Sequence, residues 1–213
     1  MADIFDEVDE EVRRERMTAA AKKYGPLVGG GVALILAVVG GLTFWTQYQE
    51  TQRQDAGAAF LSAARAQQQN PIAGRETFAN LAVEGPEGYV FLARFKEAEA
   101  LAADGDRKAA VAALNAVEEA DAPARYKDLA RLLALGLRSY DESAATLLPL
   151  LEPLMADGAP WRAFAIEQAA MLEIKLGKLN EARARLSTLA ADATAPNGVR
   201  ARAEAALTAL PEG

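Results

Sequence analysis

The chain has 213 residues, a net charge of −7, no cysteine and no histidine. That composition excludes disulfides, thiolate metal sites and cysteine nucleophiles, and it removes the commonest general base and metal ligand. The acidic balance also argues against nucleic-acid binding: residues 1–24 carry five basic and seven acidic side chains (−2), and residues 46–213 carry eighteen and twenty-three (−5).

The first segment reads ADIFDEVDEEVRRERMTAAAKKY. Ile4, Val8 and Val12 are four apart with Phe5 beside them, which predicts a helix with a narrow apolar edge. Its acidic residues come first and its basic ones last, as the helix dipole favours. The segment reads as a solvated tail, with a docking helix as the alternative.

Pro26 to Trp45 is a twenty-residue run without a charge, PLVGGGVALILAVVGGLTFW. At a rise of about 1.5 Å per residue it makes a helix roughly 30 Å long, the hydrocarbon thickness of a bilayer. Ten of its residues are Leu, Ile, Val or Phe, and the run is expected to be a transmembrane helix. Arg13, Arg14, Arg16, Lys22 and Lys23 precede it, whereas only Arg53 and Arg65 occur in the next twenty residues. That asymmetry predicts a cytoplasmic N-terminus and an exported C-terminal part. Tyr24 at one edge, and Phe44, Trp45 and Tyr48 at the other, suit membrane-interface anchors. The preceding segment is too long and too acidic for a cleaved signal peptide, and no small-residue cleavage site follows Trp45. Gly25, Gly29, Ala33, Ala37 and Gly41 recur every four residues and form a candidate packing face, for a second copy or a partner helix.

Beyond the span, strong helix formers dominate and no stretch alternates long enough for a strand. Turn signals recur at Asn70-Pro71, Gly85-Pro86, Asp104-Gly105-Asp106, Ala122-Pro123, Asp157-Gly158-Ala159-Pro160, Gly177 and Pro196-Asn197-Gly198. Residues 55–84 are expected to form a degenerate helix pair. In 91–123, a first helix with Leu92, Phe95, Ala98 and Leu101 or Ala102 on one face is expected to meet a second carrying Ala110, Leu114 and Val117. A middle unit over about 124–158 turns near Ser139-Tyr140. Its second helix carries Leu147, Leu150, Leu151 and Leu154 on one face, and Pro149 and Pro153 predict a break. Residues 163–196 repeat the plan. Aligning Gly105 with Gly177 aligns Ala98 with Ala170, Ala110 with Ala182, Leu114 with Leu186 and Val117 with Leu189, an interval of 72 residues or twice 36. Residues 199–210 read as a closing cap helix.

This spacing resembles the tetratricopeptide repeat, about 34 residues in two antiparallel helices. Arg94 and Ile166 stand where a large aromatic is usual in the first helix. The expected fold is all-α: a single N-terminal transmembrane helix followed by a tetratricopeptide-like right-handed solenoid of helical hairpins. The expected domains are a cytoplasmic tail (1–24), the transmembrane helix (25–45), a juxtamembrane linker or helix (46–54) and the exported repeat domain (55–213).

Catalytic signals are weak. Gly177-Lys178 lacks the upstream glycine and the following Ser or Thr of a phosphate loop. Glu118-Glu119 and Asp141-Glu142 are adjacent carboxylates that point to different sides of a helix and read as solvated. Arg183/Arg185 and Arg200/Arg202 read as solvated too, with a small basic patch as the alternative. No positioned acid–base set is evident, so no enzyme activity, cofactor or metal is expected. The candidate partner-binding surface, lined by the first helix of each pair, comprises Phe95, Glu99, Arg125, Asp128, Leu132, Phe164, Glu167, Met171 and Lys175. Plain core is the competing reading for Phe95, Leu132 and Phe164.

Taken together, DIFDEVDEEVRRERM, the span with Phe-Trp at its outer edge, and LEPLMADGAPWRAFAIEQAAMLEIKLGKLNEARARL resemble the YfgM-like family of bacterial inner-membrane proteins. The resemblance covers nearly the whole chain. It implies a single-pass inner-membrane protein with a periplasmic domain, acting as an ancillary subunit of the Sec translocon that associates with periplasmic chaperones. The alternative is a cell-envelope or division coordinator that self-associates through span and repeats.

Overall fold

The computed structural model describes the backbone of residues 3–86 and 88–211, and side chains at 14, 17, 36–86 and 88–211. Among the described residues the regular structure is helical, without strands. Among these residues nine α-helices follow in order: α1 Asp3–Gln69, α2 Arg75–Glu84, α3 Tyr89–Ala103, α4 Arg107–Glu119, α5 Ala124–Arg138, α6 Ala144–Leu151, α7 Arg162–Lys175, α8 Leu179–Ala191 and α9 Asn197–Ala209. A 3-10 turn over Glu152–Met155 follows α6. The chain divides into two compact units, Met1–Gln54 and Asp55–Gly213.

The first unit is the leading part of α1. From Leu36 to Glu50 every side chain is exposed, including Leu36, Val38, Val39, Leu42, Phe44, Trp45 and Tyr48. Thr43, Thr46 and Thr51 turn their hydroxyls back onto the helix's own carbonyls, so these polar groups ask nothing of their surroundings. The rings of Trp45 and Tyr48 lie 6.5 Å apart. Of the small-residue stripe, Ala37 and Gly41 are described and exposed. The side chains of residues 18–35, among them positions 24, 25, 29 and 33 of the predicted anchor and stripe, lie outside the described residues. Among the described residues no helix is long and apolar enough to cross a membrane.

The second unit begins with the end of α1. Ala56, Ala63 and Gln67 are buried, with Phe60 half-buried on the same stripe. The Phe60 ring meets Phe78 of α2 edge-on at 5.5 Å and Tyr89 of α3 at 6.1 Å. Two glycines make that approach possible. A Cβ on Gly57 would lie 2.9 Å from the Tyr89 hydroxyl, and one on Gly74, at φ 79°, would lie 2.8 Å from the Ala63 carbonyl oxygen.

From α3 onward each helix packs on the next, and the core is handed along the stack. α3, α4 and α5 bury Ala98, Leu101, Ala110, Leu114, Val117 and Ala130. α5, α6 and α7 bury Leu132, Leu135, Leu147, Leu151, Ala165 and Leu172. α7, α8 and α9 bury Ile166, Ala170, Leu186, Leu189, Val199 and Ala203. α5 and α7 thus contribute to two clusters each, because the first helix of a pair touches its own partner and the preceding pair. The paired alanines Ala98/Ala110 and Ala170/Ala182 are fully or almost fully buried. Short side chains let neighbouring helices approach closely. The cap helix is present as α9, and it buries Val199 and Ala203.

The equivalence of Gly105 and Gly177 is reproduced atom by atom. After α3, the Asp106 amide donates to the Leu101 carbonyl at 2.9 Å and the Gly105 amide to Ala102 at 3.1 Å. After α7, Lys178 donates to Glu173 at 2.9 Å and Gly177 to Ile174 at 3.0 Å. Both are Schellman turns, with glycine at φ 89° and 72° in the left-handed position. The two turns differ at the start of the following helix. Asp106 caps α4 by accepting from the Ala109 amide at 3.0 Å, whereas Lys178 has nearly the same backbone angles but no side-chain cap.

The middle pair is bent as its prolines require. α6 contains Pro149 and gives way at Glu152 to the 3-10 turn that holds Pro153. Leu147, Leu151 and Leu154 are buried, but Leu150 is 41 % exposed, which corrects the expectation that all four share the core face. The 147, 151, 154 stripe uses spacings of four and three, and Leu150 falls on its outer flank.

Gly105→Ala and Gly177→Ala should each cost about 1–2 kcal/mol from the left-handed backbone alone, because no atom lies within 4 Å of the added Cβ. Lys178→Asp should stabilise by about 1 kcal/mol by copying the Asp106 cap. Thermal melts read both effects, the second as an upward shift of about 2–4 °C.

Candidate functional site

The first helices α3, α5 and α7 lie side by side, and their shared face forms an open groove of about 800 Å³. Phe95, Ala98 and Glu99 of α3 make one wall; Phe164, Gln168 and Met171 of α7 make the other. α5 supplies the floor with Leu129, Leu132, Leu133, Gly136 and Leu137, and Ser139 and Tyr140 close one end. Leu133, Tyr140 and Met171 expose 45, 73 and 37 % of their surface there. Apolar side chains gathered this way in a concavity make this the candidate binding surface.

Of the nine candidate surface residues, the structure brings Phe95, Glu99, Leu132, Phe164 and Met171 into this groove. Leu132 is almost fully buried and belongs to the floor. Phe95 and Phe164 are half-buried and pack against core clusters, Phe164 also lying 6.1 Å from the Trp161 ring. Glu99 is exposed, and its Oε2 accepts from Lys96 at 2.7 Å. The other four lie outside the lining. The Arg125 guanidinium stacks over Tyr126 at 4.9 Å, and its carbonyl accepts from Trp161 Nε1 at 2.6 Å. Asp128 is half-buried further along α5. Lys175 donates to the Ser139 carbonyl at 2.8 Å, at the closed end. The Glu167 carboxylate is held by Arg202 in a two-point pair at 2.6 and 2.7 Å, which clamps α9 onto α7 and raises the Arg202 pKa.

Sequence reading missed Leu129, Leu133, Gly136, Leu137, Tyr140 and Gln168. The signal in α5 was ambiguous, since LARLLALGL is apolar on almost every side. Gly136 has a steric reason for being there. Its missing side chain lets the Gln168 amide of α7 reach the α5 backbone, where a Cβ would stand 3.2 Å from the end of that side chain. With the amide turned to satisfy both neighbours, Gln168 donates to the Leu132 carbonyl at 3.2 Å and accepts from the Gly136 N–H at 2.6 Å.

Of the charges read as solvated, some join helices and others stay exposed. Glu118 accepts from Arg131 Nε at 3.2 Å and Nη2 at 2.9 Å, tying α4 to α5, while Glu119 is exposed as expected. Asp141 and Glu142 are exposed as expected; Asp141 pairs with Arg107 at 3.4 Å, and Glu142 with Arg138 at 2.7 Å, which holds its carboxyl below the usual range. Arg185 is committed to Glu173, a residue only 3 % exposed, at 2.7 Å. Arg183 donates to the Pro211 carbonyl, and Arg200 to Asn197 at 2.5 Å. The arginine pairs therefore part company and form no basic patch. Among the described residues no cluster of acidic side chains could hold a metal ion.

Repeat-to-repeat contacts carry the period directly. Trp161 reaches Arg125 and Lys175 reaches Ser139, each 36 residues back, and Arg107 meets Asp141 34 residues on. Over residues 21–211 the chain matches the tetratricopeptide repeat-like domain family. Two solved structures are similar, both of a Podosopora anserina protein described as a kinesin light chain with nearly identical TPR-like repeats. One superposes with a TM-score of 0.52 at 17 % identity, and a single-substitution form with 0.54 at 16 % identity. Each covers 76 % of this chain and 85 % of the other. No curated protein matches.

Arg185→Ala strands the buried Glu173 carboxylate, one oxygen of which already lacks a partner. It should cost about 3 kcal/mol, the low end for such a pair because Arg185 is partly exposed. Denaturant unfolding measures the loss, and Glu173→Gln in the same background should recover part of it. In the loop after α8, a hydrogen bond from the Thr194 hydroxyl, then one from its amide, holds the Asp192 carboxyl below its ordinary value of 3.8. A depressed carboxylate stabilises above its unfolded pKa and loses that contribution as pH falls through the folded pKa. Thr194→Val should therefore move Asp192 back toward 3.8 in an NMR titration and flatten the acid limb of the stability profile.

Proposed function

The chain belongs to the tetratricopeptide repeat-like domain family, and from that premise we propose that it is a membrane-anchored protein-interaction scaffold of the bacterial inner membrane. The repeat domain presents the groove on α3, α5 and α7 to protein partners, and the apolar run Pro26–Trp45 anchors it with its N-terminus in the cytoplasm. The observation that carries this reading is the exposure of Leu133, Tyr140 and Met171 in one concavity. Cores normally hide such side chains, so their exposure together suits a surface that a partner covers. The exposed stretch from Leu36 to Tyr48, with its self-satisfied threonines and Trp45–Tyr48 pair, is what a lipid-facing helix end needs.

The partners suggested by the YfgM-like resemblance are translocon and periplasmic chaperone components, which makes the protein an ancillary subunit of the Sec translocon. The domain works by binding and carries out no reaction: the charged side chains close to the groove are occupied in pairing and helix-clamping, so none is poised as an acid–base set.

A photoreactive residue at Phe164, incorporated in intact inner membranes, should crosslink to translocon or chaperone subunits. The same residue placed at Glu119, away from the groove, should not. Crosslinks of equal yield from both positions would sink the proposal for the groove. Release of the full-length chain by alkaline carbonate would remove the anchor.

A further inference from the structure

The groove has little left to offer a partner but apolar surface. Ser139 Oγ donates to the Gly136 carbonyl at 2.7 Å, and Gln168 is taken up by the α5 backbone. Glu99, the one charged lining residue, is neutralised by Lys96 at 2.7 Å. The Tyr140 ring lies beneath the Arg107 guanidinium at 5.1 Å. An extended peptide brings a backbone donor and an acceptor with nearly every residue, and each must find a partner or stay in water. Here it would find the Glu99 carboxylate, the Tyr140 hydroxyl and the spare sites of the Ser139 hydroxyl and Gln168 amide, too few to match an extended backbone residue by residue. A helix arrives with its backbone already bonded to itself and needs only an apolar face to lay down.

Charge gives the occupant a direction. The floor and walls are neutral, while Lys175 stands at the Ser139–Tyr140 end and pairs with no carboxylate among the described residues. Arg107 adds a second cation over Tyr140, though it is shared with Asp141. A helix end with acidic side chains, and the negative pole of its own dipole, complements that end.

We infer that the groove receives an amphipathic α-helix of a partner protein, its apolar face on Leu133 and Met171 and its acidic C-terminal turn toward Lys175. The inference rests on the scaffold reading above and supplies the partner's chemistry.

The test uses the full-length chain in lipid nanodiscs and a fluorescent amphipathic peptide of about five helical turns, capped at both ends, with glutamates in its last turn. A companion of the same composition carries two central prolines that break the helix. Fluorescence anisotropy should show the helical peptide binding and the companion at least about tenfold weaker. Leu133→Glu and Met171→Glu, both at exposed positions, should each weaken the helical peptide by about tenfold, with melting curves unchanged. Lys175→Glu should weaken it too, but leave a peptide with glutamines in the last turn unaffected. Equal binding of both peptides, or of the helical peptide to both groove variants, overturns the inference. Absence of helical-peptide binding also overturns it. If Phe164 crosslinks persist in that last case, the scaffold reading stands and the helical occupant alone falls.

Discussion

The repeat domain depends on α5 and α7 being packed on two sides at once. Each must meet its own second helix and the preceding pair, and still present a third face to the groove. A helix has room for this only if its contact points are small, which is why Ala130, Ala134, Ala165, Ala169 and Ala170 are buried to near zero exposure. Larger side chains at those positions would push the stack apart, and smaller contacts elsewhere could not recover the lost apolar burial. The groove follows from the same constraint. Once α3, α5 and α7 stand side by side, the residues on their common third face have no helix to cover them.

Polar contacts also bridge neighbouring helices. Glu118–Arg131 joins one pair to the next, Glu173–Arg185 joins the two helices of a pair, and Glu167–Arg202 fastens the cap. Exposed ion pairs of this kind contribute little to stability singly, typically about 0–1 kcal/mol. Glu173 differs because its carboxylate is buried, so its value lies mostly in the penalty for leaving it alone.

The same accounting separates the groove from the charged surfaces around it. Arg202, Arg185 and Arg131 are paired with carboxylates that do not line the groove, whose one charged lining residue is Glu99. On the proposed reading a partner helix would be selected by shape and apolar contact, with Lys175 biasing its direction. Recognition of that kind would adapt to different partners of similar helix pattern, because no bidentate contact demands a particular residue.

Much of this architecture was legible in the sequence because it is written locally. Glycine at a left-handed turn, proline at a helix start, and a three-to-four residue apolar spacing act within one or two turns of helix, so Gly105, Gly177, Pro123 and the Ala110–Leu114–Val117 stripe could be placed without coordinates. The twenty uncharged residues from Pro26 to Trp45 are likewise a property of composition and length. The groove was only half legible. Phe95, Phe164 and Met171 stand out in mixed helices, but α5 is apolar on nearly every side, and its groove face is chosen by where α4 and α7 happen to press. The pairings Glu118–Arg131, Glu173–Arg185 and Glu167–Arg202 join residues 12 to 35 positions apart. Carboxylates and guanidiniums look solvated in any single helix, and only the packing of one helix against another decides which of them meet.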